Sequence, residues 1–150
     1  NIPIIAAGGI ADGRGMASAF ILGAQGIQMG TRFVCSNECK VHKNYKDAIV
    51  KAGDRGTVVT GRTTGHPVRI LKNQLYRQFR ELEERNVSIE ELERLGSGKL
   101  KLACVDGDVN LGSVMAGQIS GLIKDIKPVQ EIINDIVKEY NSALKKQTLF

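Results

Sequence analysis

The sequence predicts an α/β fold: the C-terminal portion of a TIM (β/α)8 barrel containing its last two strands, joined to a mostly helical insertion subdomain. Three observations predict it. A nearly continuous apolar run, Ile2 to Ala7, ends on Gly8-Gly9, as a parallel strand covered on both faces does. A second short run, Gly26 to Gly30, follows after a single helix-length segment, and two strands with an intervening helix make a right-handed βαβ unit. Both runs close on glycine-containing turns, Gly8-Gly9 and Gln28-Met29-Gly30-Thr31. Parallel neighbours open their C-terminal ends on one sheet edge, where barrels build phosphate sites from the loops after the last two strands.

Between the two runs, Gly13 to Leu22 reads as a helix with Met16, Phe20 and Ile21 on one face and Gly23 as its stop. After Phe33 the chain turns charged and helical. Tyr45 to Ala52 is expected to be a short helix closed by Gly53, and Thr57 to Arg62 to be extended. Pro67 sits where a first helical turn tolerates it, and Val68, Leu71, Leu75, Phe79 and Leu82 form a stripe at helical spacing, which predicts a helix from Pro67 to about Arg85. Ser88-Ile89-Glu90-Glu91 matches a capping box, and Gly96 ends the helix it opens. Leu100 to Val105 precedes a polar loop, Met115 to Ile123 resumes a helical pattern, and Pro128 opens a last helix with Val129, Ile132, Ile133, Ile136, Val137 and Tyr140 on one side. From Lys145 onward the tail is expected to fray. The division expected is 1–34 for the βαβ unit, 35–110 for the mostly helical insertion and 111–150 for closing helices and tail. Because two strands cannot close a barrel, the remaining strands are expected upstream of Asn1, which is not an initiator Met.

Composition bounds the function. The 150 residues are 42% hydrophobic, enough for one domain, and no apolar run approaches the roughly 18 to 20 residues of a membrane span. No secretory signal opens the chain, so a cytoplasmic protein is expected. The net charge of +5 is spread rather than massed, and four Phe, three Tyr and no Trp offer few stacking platforms, which argues against nucleic acid as a partner. Cys35, Cys39 and Cys104 have no second Cys/His pair at zinc spacing, so reduced thiols are expected and no metal site.

The glycine turns read first as an anion cradle. Glycines let backbone approach an anion, and the free N–H groups at the next helix start favour negative charge. Gly13-Arg14-Gly15 does not extend to a dinucleotide fingerprint: Ser18 stands where the third glycine belongs, and Gly30-Thr31-Arg32 where the ribose-binding acid belongs. Asp106-Gly107-Asp108-Val109-Asn110 imitates a calcium loop but has Leu111 at its sixth position and Gly117 at its twelfth, so a turn whose carboxylates satisfy local N–H groups is expected instead. His66, before Pro67, suits a helix cap, and His42 a solvated loop.

Ala6-Ala7-Gly8-Gly9-Ile10-Ala11-Asp12-Gly13 and Gln28-Met29-Gly30-Thr31-Arg32-Phe33 resemble the superfamily of flavin-dependent enoyl-acyl-carrier-protein reductases (type II) and nitronate monooxygenases. The downstream segments Gly65-His66-Pro67-Val68-Arg69, Lys72-Asn73-Gln74-Leu75, Gly107-Asp108-Val109 and Gly112-Ser113-Val114-Met115-Ala116-Gly117-Gln118 are similar to the enoyl reductase branch. The resemblance implies an FMN phosphate held by Gly8, Gly9, Gln28, Met29, Gly30 and Thr31, with NAD(P)H as cosubstrate. It also implies reduction of a trans-2-enoyl thioester on acyl carrier protein in fatty acid biosynthesis. Nitronate oxidation on the same scaffold is the alternative enzyme class, and a non-catalytic phosphate- or carrier-protein-binding module the alternative outside enzymes. A homodimer is left open. The family's active-site histidine precedes this region, so no catalytic residue is assigned among residues 1–150 and these residues alone are expected to be inactive.

Overall fold

The computed structural model describes residues 2–147. The fraying expected after Lys145 therefore lies, beyond Gln147, outside the described residues. Chain contacts separate two compact units, one of residues up to 39 together with those from 125 onward, the other Lys40–Lys124.

In the first unit, β1 (Ile5–Ala7) and β2 (Gly26–Gln28) pair in parallel with Ile5 opposite Gly26 and Ala7 opposite Gln28. Both are shorter than the apolar runs that predict them. Ile4 and Gln25 prolong the pairing through Gln25 N–H to Ile4 O (2.8 Å) and Ile4 N–H to Gln25 Oε1 (2.8 Å). Among the described residues β1 pairs only with β2, and Ile5 is 54% exposed.

The crossover is α1 (Gly13–Ile21), whose N-cap Asp12 has extended backbone and accepts the Gly15 N–H at 2.9 Å. Leu22 and Gly23 terminate it through N–H bonds back to Ser18 and Phe20. Its buried face, Gly13 and Ala17, lies against α7 (Val129–Gln147), where Phe20 and Tyr140 meet edge to face with centroids 5.4 Å apart. The apolar stripe of α7 splits: Ile132 and Ile136 are buried, while Ile133 and Val137, rotated one position round the helix, are exposed. Glu38 accepts the Val129 N–H at 3.0 Å and so caps α7 from a distant loop.

The Asp12 cap gives a first testable result. Partial burial would raise its carboxyl pKa, but the Gly15 N–H and the Arg14 guanidinium outweigh this and hold it below the ordinary value. A folded pKa below the unfolded one contributes stability that is complete above the unfolded pKa, about 3.9, and is lost as pH falls through the folded value. Asp12→Ala is therefore expected to cost about 1 kcal/mol near neutral pH. In urea titrations the gap from the parent should narrow below about pH 4, and a gap constant down to pH 2 would remove this account of the cap.

In the second unit, α3 (Lys43–Val50) precedes an antiparallel hairpin of β3 (Thr57–Thr60) and β4 (Val68–Leu71), in which Val58 faces Ile70. The helix expected from Pro67 is thus two elements. Residues 68–71 are a strand, and α4 (Gln74–Glu84) begins only at its cap Asn73, whose Oδ1 accepts the Tyr76 N–H at 3.0 Å. The spacing misled because Val68 and Leu71 also sit three apart. Pro67 pushes the chain toward extended geometry, and β-branched Val68 and Ile70 suit a pleat.

Ser88 caps α5 (Ile89–Gly96) by accepting the Glu91 N–H, and α6 (Lys99–Cys104) follows where only a polar loop's approach was expected. The helical pattern of 115–123 is a bridge from Met115 to Ile70 followed by a single 3-10 segment, Gln118–Leu122. Gly121 there leaves no room for a side chain beside Asp54. Ile49, Ile70, Leu75, Val114 and Ile123 form the core, each at most 1% exposed.

Residues 114–116 bond along β4 in this unit: Leu71 N–H to Val114 O (2.9 Å) and Ala116 N–H to Arg69 O (3.2 Å). The hairpin and the helices around it make up the unit. Asp108 Oδ1 accepts the N–H groups of Asn110 and Leu111 at 2.9 Å, the local turn expected in place of a calcium loop. Cys35 is buried and Cys39 and Cys104 are half-buried, and no helix among the described residues is long and apolar enough to cross a membrane.

Candidate cofactor-binding site

Gly8 and Gly9 follow β1 directly, with φ of +89° and +71°. Two successive residues in the left-handed region demand glycine. On leaving them the chain is re-anchored by Ile10 and Ala11, each 8% exposed, so the glycine turn is an exposed arch held at both ends. A Cβ at either glycine would meet no atom within 4 Å: the space in front of the arch is open.

Gln28 ends β2, Met29 is half-buried, and Gly30 is the N-cap of the four-residue helix α2 (Thr31–Val34). Gly30 also has no atom within 4 Å of its Cβ position, and its φ of −93° is ordinary. Because Ala7 and Gln28 are opposite one another in a parallel pair, the Gly8-Gly9 arch and the Met29–Thr31 turn leave the same edge of the sheet side by side.

One expectation needs correcting. The start of α1 is not a set of free donors, since Asp12 accepts the Gly15 N–H and Glu139 Oε2 accepts the Gly13 N–H at 2.8 Å. Two carboxylates already occupy that end of the dipole, whereas the Cβ positions of Gly8, Gly9 and Gly30 have no neighbour within 4 Å. The Asp12 cap was not read from the sequence, although an Asp directly before the helix is a local signal for one. Glu139, 126 residues from Gly13, carries no such signal.

The sequence also left Arg32 unassigned. Only 6% exposed, it donates to Asp125 Oδ1 at 2.8 Å and to the Asp125 carbonyl at 3.2 Å, which clamps α2 from below the turn. Asp125 is shared with Lys127, which also bonds Asp135 at 2.7 Å; these acids hold the Lys127 ammonium pKa above its usual value. An arginine directly after Gly-Thr was the only local signal of this clamp.

Neither histidine joins the site. His42 caps α3, its Nδ1 accepting the Asn44 N–H at 3.1 Å, and its ring lies where a Gly107 side chain would go, so it is no solvated-loop residue. His66 is exposed in the β3–β4 connection and caps no helix, because the strand displaces the helix expected there.

Successive parallel strands that both end in glycine turns on one edge match the last two strands of an α/β barrel, whose loops frequently form a phosphate site. The chain belongs to the nitronate monooxygenase family, whose family model matches residues 1–139. A probable nitronate monooxygenase of Staphylococcus saprophyticus is 33% identical over 146 residues, 97% of this chain and 41% of that protein. FabK from Thermotoga maritima matches with a TM-score of 0.93 and 53% identity, over 99% of this chain and 47% of that one. A nitroalkane oxidase from Streptomyces ansochromogenes matches with a TM-score of 0.77 and 28% identity, over 97% and 41%. The chain thus spans between 41% and 47% of the length of these relatives. It has the fold of a part of these larger TIM-barrel enzymes; the described residues themselves form two-stranded sheets and no closed barrel.

Proposed function

We propose that this chain is the cofactor-tail-binding part of an NAD(P)H-dependent, FMN-containing enoyl-acyl-carrier-protein reductase. The observation that carries the reading is the 53% identity to FabK, an enoyl-acyl-carrier-protein reductase, over 99% of the chain, against 28% to the nitroalkane oxidase. Both families are FMN-dependent.

The residues fit the phosphate end of that cofactor. Gly8 and Gly9 offer a backbone arch into open space, and Gly30 and Thr31 open a helix whose N-terminal N–H groups favour an anion. Gln28 and Met29 complete the turn. Hydride transfer is what FMN supplies when bound; this chain's residues bind and orient its tail. Arg32, paired to Asp125, keeps α2 in place, and the open Cβ positions of Gly8, Gly9 and Gly30 give the phosphate room. No catalytic acid is assigned here. Carrier protein bearing the enoyl thioester is the proposed partner and the cytoplasm the proposed location.

Nitronate oxidation is the second reading, favoured by the family description and by the 33% identical staphylococcal relative. The full-length protein is expected to oxidise NADH or NADPH with a crotonyl thioester and to leave propionate 3-nitronate untouched. Oxygen-dependent nitronate turnover without thioester reduction would reverse the assignment.

A further inference from the structure

The chain's charge is not evenly divided. Residues 40–124 hold 15 of the 21 Lys and Arg and 10 of the 16 Asp and Glu, a net +5, which is the whole net charge of the chain. Part of this excess surrounds a cavity of about 630 Å3 within that unit, lined by Lys51, Lys72 and Arg77 and by the amides of Asn73, Gln74 and Asn110, with no carboxylate on its wall. None of the three cations makes an ion pair with a described residue.

The wall is tied together independently of any ligand. Asn73 Nδ2 donates to the carbonyls of Val109 and Gly112 at 2.8 Å, Leu75 N–H to Asn110 O at 3.0 Å, and Lys72 N–H to Gly56 O at 2.8 Å. Three exposed cations that make no ion pair with a described residue line this one cavity, from α3's end, β4's end and α4. A cluster with no compensating acid is arranged for an anion supplied from outside. A cavity of this size admits far more than a single inorganic ion.

We propose that this cavity binds the phosphate group of a phosphorylated organic ligand, with Lys51, Lys72 and Arg77 as its charge partners. Two ligands of the proposed reaction carry such a group, the pyridine nucleotide and the phosphopantetheine arm of the thioester. The inference deepens the proposed function by naming where one of them is held.

The test uses full-length protein saturated with FMN, so that the flavin's own phosphate site is filled. Calorimetric titration with inorganic pyrophosphate is expected to show binding that weakens at least tenfold in Lys72→Gln and in Arg77→Gln. Lys101→Gln, an exposed lysine outside the cavity, should leave it unchanged. The source is then read from KM. A rise for NADH or NADPH in the two variants identifies the nucleotide, and a rise for an enoyl-CoA but not for a phosphate-free enoyl-pantetheine identifies the arm, with kcat nearly constant in either case. Pyrophosphate that does not bind, or binds equally to all four proteins, overturns the site. Absence of enoyl reduction leaves the titration decisive, so failure of the proposed activity and failure of this site are told apart.

Discussion

Gly30→Asp in the full-length protein is expected to weaken FMN binding at least a hundredfold while leaving the apoprotein as stable as before, or more so. Three facts set the two effects apart. Gly30 has an ordinary negative φ, so a side chain adds no left-handed strain, and its Cβ position is free of neighbours within 4 Å. As N-cap of α2 it has no side-chain cap of its own, and Asp is among the best residues at that position, worth roughly a few tenths of a kcal/mol over Gly. For the cofactor the same carboxylate is doubly adverse. It takes the helix N–H groups that the phosphate would use and places a negative charge beside the phosphate; at about 4 Å and an effective dielectric near 20 that repulsion is about 4 kcal/mol for each phosphate charge, more than the roughly 2.7 kcal/mol of a hundredfold change. Gly30→Asn, a neutral cap of the same shape, should fall between the two and separates charge from bulk. Flavin fluorescence titration of deflavinated protein, beside thermal melts without FMN, measures both quantities. If Gly30→Asp binds FMN within about threefold of the parent, the phosphate does not sit at this turn.

How much of this was legible in the sequence follows the range of the interactions. The glycine arch, the second turn on the neighbouring strand and the cap at Ser88 depend on residues at most three positions apart, and each is found where the pattern places it. At Val68–Leu71 local spacing supported two structures, and the hairpin partner Thr57–Thr60 with the returning 114–116 segment decided between them. That is tertiary context overriding a short periodic signal. Arg32 with Asp125, 93 residues apart, and Gly13 with Glu139, 126 apart, carried no mutual signal at all. The consequence for the site is specific. In the candidate site the Gly8-Gly9 arch, which needs glycine for conformational reasons, could be read directly. The supporting half, the ion pair under α2 and the carboxylates closing off α1, could not, because any surface Asp or Glu looks alike in a sequence.

The largest stability loss is expected from Gly13→Ala. An added Cβ there would collide with the Tyr140 backbone nitrogen, the Ile136 carbonyl and, at 2.5 Å, the Glu139 Cβ. Two of these three atoms are backbone, so no rotamer change relieves the overlap and the α1–α7 contact must open. Overpacking of this kind costs about 3 kcal/mol, and the Gly13 N–H would also be drawn off Glu139. Gly15→Ala on the same helix is the informative companion. Its Cβ would meet only Ile10 Cγ2 at 3.2 Å as its closest neighbour, the end of a side chain that can give, while replacing glycine inside a helix gains up to about 1 kcal/mol. Two identical substitutions two residues apart should therefore move stability in opposite directions, or at least by amounts differing by about 3 kcal/mol. Urea unfolding of both variants measures the difference. Equal midpoints would mean that α1 and α7 are not packed this closely, and with them would go the explanation of why a glycine, rather than any good helix former, opens the helix behind the glycine arch.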